Sequence, residues 1–193
     1  PEPGILEAKV VASDQPRTGY FACSNPLLNQ LYKNINRSHV SNMHSVPTDC
    51  PQRDERCGWM GDAFIFAQTS IYNRNMAAFY NKWMVDIMDA QSERGTFPDI
   101  APHPFAYEKH FTNAPGWADA ALQLPYILYL NYGDREILDN HFDAYARYID
   151  NIRETNPDLI WKHGLGLNYG DWLNGNTLRA EGFPKTGAQV PSE

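Results

Sequence analysis

Cysteine is scarce in this sequence, basic clusters are missing, and no apolar stretch is long. Three cysteines among 193 residues (Cys23, Cys50 and Cys57) are too few, and odd in number, for a disulfide framework. Cys50 and Cys57 could bridge, but two buried thiols is the expected state. The 16 Lys and Arg against 23 Asp and Glu give a net charge of -7. That balance, without a positive stripe, argues against a nucleic-acid partner. No apolar run approaches the ~18–20 residues that would span a bilayer, so no membrane partner is expected, and the mean hydropathy of -0.54 agrees. Pro1 to Val11 lack the basic start and continuous apolar stretch of a secretory leader. No zinc-spaced Cys/His set, HExxH, GxSxG or Gly-rich phosphate loop occurs, and no metal or cofactor is expected. What the chain does have is 42% apolar and 13% aromatic residues with only 20% charged, the composition of a folded domain.

Residues 1–24 stand apart. Ile5 to Val11, rich in β-branched residues and followed by Ser13-Asp14-Gln15-Pro16, reads as a strand or extended linker, the tail of a preceding β-rich domain. Asn25-Pro26 then supplies a capping side chain and a proline at the first helical position. Leu27, Leu28, Leu31, Ile35 and His39 share one face, which predicts a helix from 26 to about 42. Pro47, Pro51 and Gly58 rule out one regular helix over 45–60. Further helices are predicted over about 62–72, 75–91 (Phe79, Trp83, Ile87 and Met88 as its stripe), 115–132 with a kink or tightening near Pro125, and 134–156. The stretch 92–114 reads as a long loop. Beyond Pro157 the pattern weakens into glycines. Short connections alternating with long ones suit either a ring of α-hairpins or an irregular helical domain.

The chemistry gathers in Pro47-Thr48-Asp49-Cys50-Pro51-Gln52-Arg53-Asp54-Glu55-Arg56-Cys57-Gly58-Trp59-Met60-Gly61-Asp62. Four carboxylates, two arginines and a tryptophan follow one another in a proline-stiffened loop. A neighbouring carboxylate or partial burial could keep one acid protonated near neutral pH, as general-acid catalysis requires. A tryptophan face beside acidic groups suits a sugar ring, whose C–H bonds stack while its hydroxyls donate. The bland reading stays open beside it: a solvated, salt-bridged loop with Asp62 as the cap of the helix that follows. His103 and His110, seven apart on one loop, are more plausibly backbone-bonded than metal-binding.

This loop resembles that of the α-L-rhamnosidases of glycoside hydrolase family 78. More than a dozen positions match in order, and Thr96-Phe97-Pro98-Asp99, Gly116-Trp117-Ala118-Asp119-Ala120 and Tyr169-Gly170-Asp171-Trp172-Leu173 are similar to the family's later rim loops. The resemblance covers about residues 20–180; Cys57 and Met60 depart from the pattern outside the acidic set. It implies an all-α fold, part of an (α/α)6 toroid flanked by β-sandwich domains, with residues 25–193 as the N-terminal portion of the catalytic domain. It implies inverting hydrolysis of terminal α-L-rhamnosides, with Glu55 as general acid. Asp49, Arg53, Trp59 and Asp62 would line the rhamnose pocket, and Trp117 and Trp172 would wall it. The implied partners are a rhamnose-containing glycoside, the remaining domains of a longer chain and, compatible with the sequence, a second copy in a homo-oligomer. The family's general base and a nearby histidine would lie beyond residue 193. Asp171 is the best local substitute for that base, ahead of Asp54, Asp62 and Glu108. Twelve barrel helices need roughly 350–450 residues, so this chain by itself is expected to be inactive. Another six-hairpin glycosidase of α-glucosidase type and a non-catalytic carbohydrate-binding segment remain as alternatives.

Overall fold

The structure, a computed structural model, describes residues 4, 6–103, 111–162, 166–170 and 172. Asn25 caps the first helix as its sequence predicts, its side-chain oxygen accepting from the Leu27 N–H at 2.9 Å. Helix α1 runs Pro26–Asn42. A two-residue hairpin follows, β1 (Met43–His44) against β2 (Val46–Pro47), paired Met43 to Pro47 and turned at Ser45 with φ 64°. Helices α2 (Met60–Asn73), α3 (Ala77–Asp89), α4 (Ala120–Tyr132) and α5 (Glu136–Thr155) complete the regular structure. Among the described residues between α3 and α4 there is no helix until the turns just before Ala120.

Helix α4 is the hub, packing against α2, α3 and α5. It is apolar over most of its circumference, which suits a helix with several neighbours. Ala120, Ala121, Leu124 and Leu128 are buried. Pro125 lies inside it and removes one backbone donor; Gly133 ends it in the left-handed region at φ 69°, where a side chain would be strained. Trp83 of α3 is wholly buried and donates from Nε1 to the Ala101 carbonyl at 2.8 Å, joining the helical core to the long loop. The buried Ser70 and Tyr80 hydroxyls satisfy each other across 2.8 Å.

Of the two readings of the N-terminal segment, strand and extended linker, no strand is present over residues 6–11, which are exposed. From Ser13 onward the segment is tied to the helical unit: Ser13 N–H donates to the Met43 carbonyl at 2.9 Å, and Thr18 N–H to the Asn73 carbonyl at 3.0 Å. Helix α1 keeps its predicted span, yet Leu27, Leu28 and Leu31 are exposed and His39 is its one buried residue. Among the described residues no helix is long and apolar enough to cross a membrane. The arrangement is all-helical apart from the tiny hairpin, a partial toroid of α-hairpins.

Candidate active site

The acidic loop is closed at its base by Thr48, whose N–H and Oγ1 both donate to the Asn42 carbonyl, at 2.7 and 2.8 Å. The Asp49 N–H reaches across to the Cys57 carbonyl at 3.1 Å. Within this neck the chain turns tightly: Glu55 N–H bonds the Arg53 carbonyl at 2.8 Å, and Arg56 adopts φ 53°. The turn sorts the carboxylates. Asp54 points wholly into solvent, with Arg56 at 3.9 Å, whereas Glu55 turns inward with a quarter of its side chain exposed. Its Oε1 accepts from Trp59 Nε1 at 2.6 Å, and its Oε2 pairs with Arg53.

Asp49 joins this group. A carboxylate oxygen of Asp49, the Cys50 sulfur and a carboxylate oxygen of Glu55 all lie within 4.8 Å of one another. Such a set could in principle hold a cation, but Arg53 faces Cys50, Glu55 and Asp49 together and supplies the positive charge. Burial, followed by the Glu55 charge, holds the Asp49 carboxyl above its ordinary range against the hydrogen bond with Cys50. Asp62 is raised by the surrounding protein first and by the Asp49 and Glu55 charges after it, although part of its surface stays open to solvent. Like charges brought together in this way favour retention of a proton. Burial likewise pushes the Cys50 and Cys57 thiols up. Both are free and half-buried, so there is no bridge between them.

Asp49 and Asp62 line one cleft of about 210 Å³ with Ser38, His39 and Asn42 of α1 and Phe66 of α2. That is smaller than the ~300–1,000 Å³ typical of drug-sized sites and of monosaccharide scale. His39 is buried, and desolvation followed by the Arg74 charge lowers it to about 4, so its ring is neutral at neutral pH. Asp62 is not the cap of α2. The helix begins earlier, with Trp59 at the N-cap position and no side-chain cap, because the long loop holds its start: Met60 N–H donates to the Asp99 carbonyl at 2.9 Å. Asp62 therefore falls in the first turn.

On its other side Trp59 opens an aromatic wall. Its ring meets Phe111 and Tyr169 edge to face, each at 5.7 Å. Tyr169 then contacts Trp117 at 4.6 Å and Trp172 at 6.1 Å. Trp117 lies on Gly61, where an added Cβ would stand 2.9 Å from its ring. Its turn is braced by Asp119, which accepts from Gly116 N–H at 2.8 Å and from the Tyr148 hydroxyl at 2.9 Å. Trp172, 46% exposed, forms the open end. Glu55, Arg53, Trp59, Trp117 and Trp172 thus form one continuous group through Tyr169, while Asp49 connects it to the Asp62 cleft. Tyr169, Asp99 and Phe111 were not singled out from the sequence; only the rim-loop motifs containing Tyr169 and Asp99 pointed near them. Asp171, Glu108 and His110 lie outside the described residues.

Residues 16–190 match the family described as the bacterial alpha-L-rhamnosidase six-hairpin glycosidase domain. The chain belongs to this family. An alpha-L-rhamnosidase of Streptomyces avermitilis is 38% identical over 182 residues, which is 90% of this chain and 16% of that protein. The solved structure of an alpha-L-rhamnosidase from Dictyoglumus thermophilum matches with a TM-score of 0.81 and 38% identity, covering 93% of this chain and 20% of its own. The crystal structure of the Streptomyces avermitilis rhamnosidase complexed with L-rhamnose gives 0.77 at 38% identity, covering 86% and 16%. The chain therefore spans a fifth or less of these rhamnosidases.

Proposed function

We propose that this chain carries the general-acid half of the active site of an inverting α-L-rhamnosidase, with Glu55 as proton donor to the leaving glycosidic oxygen. The observation that carries the reading is Glu55 itself, turned inward between Arg53 and Trp59 at the start of an aromatic wall. Arg53 and Trp59 fix the carboxyl group's direction. Asp49 and Asp62, both with raised proton affinity, complete the acidic surroundings in which the sugar would sit. Asp49 and Asp62 accept from the sugar hydroxyls, Arg53 and Trp59 line the pocket, and Trp117 and Trp172 face the apolar C6 methyl group of rhamnose.

Inversion needs a second carboxylate about 6.5–9.5 Å from the acid, with room for a water between them. Asp49, within 4.8 Å of Glu55, is too close to leave that room, and Asp54 faces solvent. We assign the base to residues outside this chain, and residues 1–24 to the approach from a preceding β-rich domain, with 25–193 opening the catalytic domain. Two measurements test the reading. Proton NMR of the first-formed sugar, released from an aryl α-L-rhamnoside by the full-length protein, should show β-L-rhamnose. The isolated 193-residue chain should show no turnover. Initial release of the α anomer, or full activity in the isolated chain, would refute it.

A further inference from the structure

Asp99 is wholly buried, yet each of its polar atoms has a hydrogen-bond partner. Its Oδ1 accepts from the Ala114 N–H and its Oδ2 from the Tyr169 hydroxyl, each at 2.9 Å. Its backbone N–H donates to the Phe111 carbonyl and its carbonyl accepts from the Met60 N–H, again at 2.9 Å. One residue thereby joins three segments of the chain. Each segment contributes a ring to the wall: Trp59 beside Met60, Phe111 and Trp117 flanking Ala114, and Tyr169 with Trp172. Burying a carboxyl group is costly, and burial pushes this one up to about 7 even with two donors on it. A brace for loops alone could be built from apolar packing or neutral amides at lower cost. The acceptor on Tyr169 does something packing cannot, because it sets the position and rotation of the ring that Trp59, Trp117 and Trp172 all touch.

We propose that Asp99 and Tyr169 act as a positioning pair that fixes the aromatic wall against which the apolar face of a 6-deoxyhexose rests. The role rests on the rhamnoside reading above. Neither residue touches the reacting atoms. Trp59 is held independently by Glu55 and Phe111, so the pair acts chiefly through Trp117 and Trp172, and its loss weakens substrate binding while leaving the proton-transfer step intact.

The test uses steady-state kinetics of the full-length protein on an aryl α-L-rhamnoside, with melting temperature measured in parallel. Tyr169→Phe keeps the ring but frees its rotation and strands a buried acceptor, and it should raise KM about tenfold with kcat within about threefold of wild type. Asp99→Ala should raise KM at least as far. Asp99→Asn should recover most of that loss, because its oxygen still accepts from Ala114 and its amide donates to the Tyr169 oxygen. If Asp99→Ala does not fold, Tyr169→Phe alone decides. A lowered melting temperature with KM unchanged in Tyr169→Phe would make the pair a simple brace and overturn the proposal. A wild-type protein that hydrolyses no α-L-rhamnoside would overturn the rhamnoside reading itself, and this one with it.

Discussion

Gly61→Ala sets two effects of opposite sign against each other. Gly61 lies in the first turn of α2, outside the left-handed region, and alanine there would gain up to ~1 kcal/mol from helix propensity. The new Cβ, however, would stand 2.9 Å from three atoms of the Trp117 indole. Carbon contacts relax at ~3.5–4.0 Å, so the ring must retreat by roughly 0.6–1 Å. Trp117 cannot retreat freely, because Tyr169 lies against it at 4.6 Å and Asp119 pins its turn through Gly116 and Tyr148. Overpacking costs about 1–3 kcal/mol, and the pinned ring places this case at about 2 kcal/mol or more, so after the propensity gain a net loss of roughly 1–2 kcal/mol remains. The displaced indole should also raise KM for an aryl α-L-rhamnoside several-fold. Chemical denaturation reads the first effect and steady-state kinetics the second. A variant at least as stable as wild type with an unaltered KM would refute the packing of Trp117 on α2 and its place in the wall.

Gly58→Ala should be far more damaging, since its Cβ would fall 2.3 Å from the Ala101 carbonyl that accepts from Trp83; a loss of about 3 kcal/mol or more, or failure to fold, is expected in unfolding assays. Trp59→Phe removes the donor to Glu55 and should lower kcat about tenfold or more with little change in circular dichroism. The pH dependence of stability should carry the Asp99 carboxyl. Its folded value, raised from 3.8 to about 7 by burial, gives stability that is full below the unfolded value and lost as pH rises through the folded one. Wild type should therefore lose a few kcal/mol between pH 4 and pH 7 relative to Asp99→Asn, in melts across that range; parallel curves would contradict the burial of an ionisable group there.

What was readable from the sequence is what is local. Asn25-Pro26 fixes the start of α1 with atoms two residues apart, and the stripe of Phe79, Trp83 and Ile87 is buried as its spacing implies. The side chains of the acidic motif stand together because the turn at 53–56 folds the loop onto itself. Periodicity shows that α1 has an apolar face but not what covers it, so Leu27, Leu28 and Leu31 stand exposed beside an equally regular core. Helix α2 starts before Asp62 because its Met60 N–H bonds the Asp99 carbonyl, 39 positions along the chain, and the Asp62 side chain caps nothing there. The Asp99–Tyr169 contact joins residues 70 apart, and no spacing rule reaches that far. Asp54 and Glu55 are adjacent and chemically alike; only the turn's geometry sends one into solvent and the other toward Trp59.

The most direct test of the whole account is Glu55→Gln in the full-length protein, assayed on a pair of α-L-rhamnosides with good and poor leaving groups. Glutamine keeps an acceptor for Trp59 and gives up only a part-exposed ion pair with Arg53, worth about 1 kcal/mol or less to stability. Loss of proton donation should cost about 10²–10⁴ in kcat on the poor leaving group, roughly 2.7–5.4 kcal/mol of barrier, and much less on an activated aryl group. An equal, few-fold loss on both substrates would mean that Glu55 is not the acid.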